Sequence, residues 1–297
     1  MTTDLKIIDM GTITTIDYRC VNCFLKTYER LFKKFDVKNA EQELFLSIFQ
    51  KVVNEKHYDS HPEIQRELNH AFCDIIKVND PFAEEKAHSN RIALELYKQW
   101  KPKVLAADNP FDMALRLSIA GNIMDYGANN SFDVHETVEK VLKTSFAIDH
   151  SELLRNKIEK ARRILYLGDN AGEIVFDKLF IETIMHDGVF YAVKDAPILN
   201  DVTMTDAKEV GIDLTANVIS NGYDASSTVL NKCSEDFLEV YHSSDLIISK
   251  GQGNFEGLMN ENDNRIFFLL MVKCDVIAEM LNVEKGSFVV YNKNNEL

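Results

Sequence analysis

The chain has 297 residues, of which 45% are hydrophobic, which is enough for a sizeable core and for one or two domains. Its 33 Lys and Arg residues against 47 Asp and Glu residues give a formal net charge of −14 at pH 7. A surface this acidic disfavours binding to nucleic acid or to an anionic membrane, because both need a basic face. This charge balance still allows a local basic pocket for a phosphorylated small molecule.

The sequence shows no export or membrane signal. Residues 1–30 have no long apolar core of the kind found in secretory signals, and no stretch approaches the ~20 apolar residues of a membrane span. Five cysteines in such a chain favour free thiols or a metal site over a disulfide framework. We expect a cytoplasmic protein, and nothing in the sequence indicates its oligomeric state.

The first half of the chain has the pattern of consecutive helices. Four of the five prolines lie between residues 60 and 112, and apolar residues recur at helical spacing, as in Leu44, Ile48 and Val52. We predict a helical domain over residues 1–155. The predicted helices are Cys20–Phe35, Glu41–Asn54, Ile64–Val78, Pro81–Lys98, Phe111–Tyr126 and Val134–Ser145.

The pattern changes near residue 160. Nine of the 12 glycines fall between residues 168 and 286, and short apolar runs alternate with helical stretches. This alternation predicts an α/β fold class, with a Rossmann-like, mostly parallel sheet that carries helices on both faces, over residues 156–297. The predicted strands are Ile164–Leu167, Val189–Val193, Asn217–Ile219, Leu246–Ile248 and Phe288–Tyr291.

Polar side chains follow four of these predicted strands. The segments are Gly168–Glu173, Lys194–Asp201, Ser220–Asp224 and Ser249–Glu256. Open α/β sheets bind ligands at the carboxyl ends of their strands, so the four segments are expected to share one edge. Helix capping explains any single segment, but acids and bases together at one edge indicate a binding site.

The residue types at this edge point to a metal and a phosphate. Asp169, Asn170 and Asp201 supply two carboxylates and an amide oxygen, which suit Mg²⁺, Mn²⁺ or another divalent ion. Such an ion polarises a phosphoryl oxygen and activates water. Lys250 and the backbone N–H groups of the following glycine-rich segment are expected to hold phosphate oxygens. That segment consists of Gly251, Gln252, Gly253 and Asn254.

Two alternative functions are a nicotinamide-dependent oxidoreductase and a non-catalytic sensor. A nicotinamide-dependent oxidoreductase would require a G-x-G-x-x-G turn after the first strand, whereas this chain has Gly168 and Gly172 four residues apart. A non-catalytic nucleotide or metabolite sensor would use the same metal site without releasing phosphate. The alternative of a sensor stays open on the residues alone.

Several segments together resemble the damage-control phosphatases, a family of metal-dependent phosphatases first catalogued as a domain of unknown function. The matching segments are Cys20-x-x-Cys23, Asp80–Lys86, Ala120–Gly127, Gly168–Asp177, Pro197–Thr203, Ser249–Glu256 and Lys273–Ala278. They occur in order over residues 20–278. The cysteine pair is similar to that of the mainly prokaryotic and archaeal single-domain branch of the family.

The resemblance implies hydrolysis of small phosphorylated metabolites with Mn²⁺, Ni²⁺, Co²⁺ or Mg²⁺. It assigns the metal to Asp169, Asn170 and Asp201, and the phosphate to residues 250–254. The further residues expected to contact substrate are Glu173, Asn200, Asn122 and Asp125. Oxidised purine nucleotides or their biosynthetic intermediates are the expected substrates, with sugar phosphates as the alternative. Direct attack by water and an aspartyl-phosphate intermediate both remain open.

Two features stand apart from this assignment. Ser226 and Ser227 replace a Pro-Gly pair in a loop that otherwise resembles the family. Cys20 and Cys23 would lie one helical turn apart and fit three interpretations: half of a second metal site, a redox pair, or two small hydrophobic residues of a helical core. No second C-x-x-C pair is present to complete a metal site.

Overall fold

The computed structural model describes residues 17–54, 61–121 and 141–293. The chain divides into two compact units, Met1–Pro81 and Phe82–Leu297. None of the helices in the described ranges combines the length and the apolar composition that crossing a membrane requires.

The first unit contains three described helices, α1 (Tyr18–Lys34), α2 (Asn39–Asn54) and α3 (His61–Ile76). Asp17 caps α1 by accepting a hydrogen bond from the backbone N–H of Arg19 at 2.8 Å. Buried aromatic rings join the helices, with the Tyr28 ring 4.5 Å from Phe45 and 5.6 Å from Phe72. The three predicted helices of this region are therefore confirmed to within a few residues.

The second unit begins with α4 (Ala83–Leu105) and α5 (Pro110–Ala120). Its later helices are α6 (Ser151–Lys160), α7 (Glu173–Ile184), α8 (Met204–Val210), α9 (Glu235–Ser243), α10 (Gly251–Leu258) and α11 (Asp275–Leu281). The helix that was predicted over residues 81–98 starts at Ala83 in the structure and continues through Pro102. A proline near the end of a helix removes only its own N–H, so the helix can continue for another turn.

Seven strands among the described residues form one sheet in the order β1-β7-β6-β5-β2-β3-β4. The strands are β1 (Ile148–Asp149), β2 (Ile164–Leu167), β3 (Val189–Val193), β4 (Asn217–Ser220), β5 (Leu246–Lys250), β6 (Ile266–Met271) and β7 (Phe288–Tyr291). All neighbouring pairs are parallel except β6 and β7. The chain moves outward from β2 through β3 to β4, and later from β5 to β6 on the other side. The strand order therefore reverses between β2 and β5, where sheets of this type bind ligands.

Alternate residues of each strand pack on opposite faces of the sheet. In β2, Ile164 and Tyr166 belong to one hydrophobic cluster, and Leu165 and Leu167 belong to the other. Helices α4–α8 contribute to the first cluster and α9–α11 to the second. The predicted α/β class, with a mostly parallel sheet covered by helices on both faces, is confirmed.

Within the second unit, α4 and α5 pack against α7. The expected division into domains between residues 155 and 156 stays a prediction. No strand was predicted at β6, which is a continuous apolar run. Continuous apolar runs lack the alternation that separates a strand from a buried helix. The predicted helix 134–145 lies mostly outside the described residues.

Candidate metal and phosphate site

Two loops that carry the predicted metal ligands are paired through their backbones. The N–H of Val202 donates to the carbonyl of Asp169, and the N–H of Ala171 donates to the carbonyl of Asn200, each at 2.9 Å. Asn170 and Asp201 form an antiparallel bridge between these two bonds. The loop after β2 and the loop after β3 therefore hold Asp169, Asn170 and Asp201 together, as the sequence predicted.

Hydrogen bonds fix the orientation of the Asn170 amide. Its Nδ2 donates to Asp169 Oδ2 at 2.8 Å and to Glu173 Oε1 at 2.7 Å. Both amide protons are thereby directed at carboxylates, which leaves the lone pairs of Asn170 Oδ1 available to coordinate a cation. Glu173 is almost completely buried at the start of α7. Its predicted contact with substrate stays a prediction, because the observed partners of its carboxylate belong to the protein.

Asp201 carries a buried oxygen without a hydrogen bond. Among the described residues, no donor reaches Asp201 Oδ2 within hydrogen-bond distance, and the nearest ammonium, that of Lys194, lies 3.9 Å away. Burial raises the pKa of Asp201 to about 8, even though the Lys194 charge favours the ionised form. An unsatisfied buried carboxylate of this kind is stabilised by a nearby cation.

The donor set fits a divalent cation that prefers oxygen. Asp169, Asn170 and Asp201 offer two carboxylates and an amide oxygen, which leaves coordination positions for water or substrate. Across the described ranges, no group of three or more His, Cys, Asp or Glu side chains is placed to hold a metal ion. The chemistry therefore favours Mg²⁺- or Mn²⁺-like ions over a zinc site made of His and Cys.

Helix α10 starts at the same edge, directly after β5. Gly251 has φ +78°, and a Cβ at this position would lie 1.9 Å from Asp169 Oδ2. A side chain is therefore excluded where the first turn of α10 meets the metal loop. The first N–H groups of a helix have no acceptor within the helix and favour anions. This arrangement agrees with the predicted phosphate-binding role of residues 251–254, which stays a prediction.

The loop that departs from the family pattern packs on the same helix turn. A Cβ at Gly253 would lie 1.9 Å from the carbonyl oxygen of Ser226. Thr228 Oγ1 donates to Asn254 Oδ1 at 2.9 Å. The backbone of residues 226–228 therefore fits closely around the start of α10, although serines replace the expected Pro-Gly pair.

Lys250 lies behind the metal loops and not at an open surface. Its ammonium donates to the Ser118 carbonyl at 2.8 Å and to Asp177 Oδ1 at 2.7 Å, and it approaches Glu173 Oε2 at 3.5 Å. Although burial alone lowers the pKa of Lys250, the carboxylates of Asp177 and Glu173 raise it above the usual range. Lys250 is thus a buried, charged partner of Glu173, and its predicted contact with phosphate stays a prediction.

Asp177 is a residue of this network that the sequence analysis did not single out. It accepts hydrogen bonds from the Tyr166 hydroxyl at 2.8 Å and the Tyr191 hydroxyl at 2.9 Å. Burial and the Asp177 charge raise the pKa of both tyrosines, which keeps them protonated as donors. Asp177 follows Glu173 by one helical turn. That spacing was the available signal that the two carboxylates share one face of α7.

Asn90 in α4 connects the metal loops to a helix that is distant in sequence. Its Oδ1 accepts from the N–H of Gly172 at 2.8 Å, and its Nδ2 donates to Glu209 at 2.9 Å. Lys86, one turn earlier, donates to Asp206 Oδ2 at 3.1 Å. Asp206 in turn completes a capping box with Thr203 at the start of α8. One face of α4 therefore supports both loops that carry the predicted metal ligands.

Some predicted residues cannot be placed at this site. Asn122 and Asp125 lie outside the described residues. Asn200 lies in the loop, where its backbone carbonyl accepts from Ala171. Cys20 and Cys23 both belong to α1, with Cys20 Sγ 3.9 Å from His61 Nδ1 and Cys23 exposed. The choice between a second metal, a redox pair and structural thiols stays open.

The chain matches a family model and curated relatives over most of its length. The family model described as damage-control phosphatase ARMT1-like domain matches residues 16–289. The damage-control phosphatase PH1575 of Pyrococcus horikoshii is 36% identical over 285 residues, covering 92% of this chain and 96% of the relative. A damage-control phosphatase of Archaeoglobus fulgidus is 31% identical over 242 residues, covering 79% of this chain and 84% of the relative.

A solved structure shows the same architecture. The crystal structure of the DUF89 family protein PH1575 from Pyrococcus horikoshii superposes with a TM-score of 0.84 at 32% identity. The match covers 94% of this chain and 99% of that structure. Fold, ordered motifs and relatives lead to one assignment: the chain belongs to the damage-control phosphatase ARMT1-like domain family.

Proposed function

We propose that this protein is a metal-dependent phosphatase that hydrolyses small phosphorylated metabolites in metabolite repair. The observation that carries the proposal is the buried Asp201 Oδ2, which has no hydrogen-bond donor among the described residues and lies in a loop paired with Asp169 and Asn170. Membership of a phosphatase family supports the reaction class. The names of two relatives support a role in damage control.

Asp169, Asn170 and Asp201 would hold the divalent cation, for which Mn²⁺, Ni²⁺, Co²⁺ and Mg²⁺ are the candidates. When bound, such an ion polarises a phosphoryl oxygen and lowers the pKa of water. The Asn170 amide is held ready for this role because both its protons are bound to carboxylates. The N–H groups at the start of α10 would stabilise negative charge on the phosphoryl oxygens.

The reaction requires water to attack phosphorus while the ester P–O bond breaks, giving inorganic phosphate and an alcohol. We favour direct attack by water over an aspartyl-phosphate intermediate. The substrates we propose are oxidised purine nucleotides or their biosynthetic intermediates, with sugar phosphates as the second class. We also propose that neither nucleic acid nor a membrane is a partner.

The test is phosphate release from a panel of phosphorylated metabolites. Metal-free protein would be assayed with Mg²⁺, Mn²⁺, Co²⁺ or Ni²⁺, beside Asp169→Ala and the matched control Asp213→Asn, which alters an exposed carboxylate away from the site. We expect metal-dependent release that disappears in Asp169→Ala and persists in Asp213→Asn. Full activity of folded Asp169→Ala would contradict the assignment of the metal site.

A second readout separates the enzyme from a sensor that uses the same site. Binding of Mn²⁺ to the folded state stabilises the wild type by about 2.7 kcal/mol at a concentration 100 times Kd. Asp201→Asn should lose this metal-dependent rise in melting temperature. Stabilisation by Mn²⁺ without phosphate release from any panel member would favour the alternative of a non-catalytic metabolite-binding protein.

A further inference from the structure

Lys194 is a buried ammonium at the carboxyl end of β3 that has no assigned role. Its backbone N–H donates to the carbonyl of Val202 at 2.9 Å, and it forms a parallel bridge with Thr203. The chain at Lys194 is therefore fixed to the loop that carries Asp201. Only 2% of the residue is exposed. Burying an ammonium is costly unless partners compensate for the lost water.

The ammonium of Lys194 has fewer partners than it has protons. It donates one hydrogen bond among the described residues, to Asn254 Oδ1 at 2.9 Å. Asp201 Oδ2 lies 3.9 Å away, beyond hydrogen-bond distance, and that oxygen has no donor in the same part of the chain. Two incompletely bonded groups, the Lys194 amine and the Asp201 carboxyl, therefore face each other 3.9 Å apart at the edge where β2, β3 and β5 end.

Lys250 shows by contrast what a structural lysine looks like in this fold. Its ammonium reaches Ser118, Asp177 and Glu173, so all three of its protons have acceptors. Of these two buried lysines, Lys194 is the one with protons to offer to a ligand. Its link to Asn254 places it beside the first turn of α10, where the proposed phosphate-binding N–H groups begin.

Charge indicates which ligand fits. With a divalent cation at Asp169 and Asp201, the Lys194 ammonium would face a second positive charge in a buried place. An anion between the two removes that repulsion and completes the hydrogen bonds of the ammonium. We propose that Lys194 is a catalytic residue that binds a non-bridging oxygen of the phosphoryl group and stabilises its charge in the transition state.

This inference rests on the proposed function and identifies a substrate-contacting group of that site. It is tested with Lys194→Met, the charge-preserving Lys194→Arg, and the control Lys178→Met. Lys178 donates to the carbonyl of Val210 at 3.0 Å and is not part of the site. Removing one charge-stabilising donor typically lowers kcat by about 10²–10³-fold. We expect a loss of this size in Lys194→Met, partial recovery in Lys194→Arg, and normal turnover in Lys178→Met.

Two binding measurements distinguish contact with phosphate from structural support. Calorimetry with inorganic phosphate should show at least about tenfold weaker binding to Mn²⁺-loaded Lys194→Met than to the wild type, in keeping with the loss of a charged hydrogen bond. Binding of Mn²⁺ alone should be unchanged or tighter, because a like charge beside Asp201 is removed. The inference is overturned if Lys194→Met retains turnover and phosphate affinity, or if its Mn²⁺ affinity falls in parallel with both.

The outcomes also separate this inference from the proposed function. A wild type that releases no phosphate, yet binds inorganic phosphate through Lys194, would overturn the phosphatase proposal and support the role of Lys194. If Lys194→Met hydrolyses phosphoesters as well as the wild type does, the phosphatase proposal is supported and the role of Lys194 is overturned. If Lys194→Met does not fold, Lys194→Gln takes its place: the same losses of kcat and phosphate affinity are expected, and wild-type values of both in Lys194→Gln would overturn the inference.

Discussion

Asp169 and Gly251 meet where the strand order of the sheet reverses, so closely that a Cβ at residue 251 would lie 1.9 Å from Asp169 Oδ2. The contact joins the end of β2, which carries a predicted metal ligand, to the first turn of α10, which carries the predicted phosphate-binding N–H groups. The loop after β2 and the first turn of α10 are therefore in direct contact, so that a side chain at residue 251 would displace one of them.

Gly251→Ala should reduce turnover by about hundredfold, because displacing a reacting group by about 1 Å has an effect of this size. The substitution also places an alanine at φ +78°, which costs roughly 1–2 kcal/mol for a residue with a Cβ. Gly286→Ala is the matched control, since Gly286 has φ +89° with nothing within 4 Å of the added Cβ. Urea unfolding and phosphate release would be measured for both variants. Equal activity of the two variants would contradict the role of the close contact.

The sequence predicts the edge of the sheet well and the networks behind it poorly. Turn residues after apolar runs are local signals of strand ends. The predicted strands therefore place Asp169, Asn170 and Asp201 at one edge of the sheet. The contact of Lys250 with Asp177 spans 73 residues, and that of Asn90 with Gly172 spans 82. Such pairings depend on how helices pack on the sheet, which no local pattern encodes. Lys250 was accordingly assigned to phosphate, whereas its observed partners belong to the protein.

Strands marked by local sequence signals were also predicted better than strands that depend on contacts distant in sequence. β2 and β3 match their predicted bounds because short apolar runs end at glycine or charged residues. β6 was missed because six successive apolar residues, buried on both faces, show no alternation. β1 has only two residues and exists through its pairing with β7, which lies about 140 residues further along the chain.

Lys250→Met should lower the free energy of unfolding by about 3–5 kcal/mol, because it leaves Asp177 as a buried charge without its cation. The Tyr166 and Tyr191 hydroxyls would remain as the donors to Asp177. The double variant Lys250→Met/Asp177→Asn removes both charges and should be less destabilised than the sum of the single variants. Urea unfolding of the three variants forms a double-mutant cycle. Strict additivity would contradict the charge pairing.

Asn90→Ala should weaken Mn²⁺ binding by about 10–100-fold, the range typical of residues that orient metal ligands. The variant leaves the Gly172 N–H and the Glu209 carboxylate without their partner, since both bond to Asn90. We also expect a loss of about 1–3 kcal/mol in stability, because the buried Gly172 N–H is left without an acceptor. Ser89→Ala, at the neighbouring buried position of α4, is the control. Calorimetric titration with Mn²⁺ measures the effect, and unchanged affinity in Asn90→Ala would show that α4 does not position the loop.

Asp245 should make the stability of the sheet unit depend on pH. It accepts hydrogen bonds from the backbone N–H groups of Arg162 and Arg163, at 2.8 and 3.0 Å, just before β2. These two bonds lower the pKa of Asp245 below its ordinary value of 3.8. A lowered folded-state pKa contributes stability that is present above the unfolded value and is lost as the pH falls through the folded value.

Asp245→Asn should therefore be less stable than the wild type at pH 7, and the difference should shrink as the pH falls below 3.8, the ordinary pKa of this carboxyl group. The effect will be modest, because the side chain is exposed and water screens its charge. Asp187→Asn, which changes an exposed carboxylate in the turn before β3, should show no such pH-dependent difference. Urea midpoints at pH 7 and at several lower values measure both variants. A wild-type advantage over Asp245→Asn that grows on acidification would reverse the sign required by a lowered pKa.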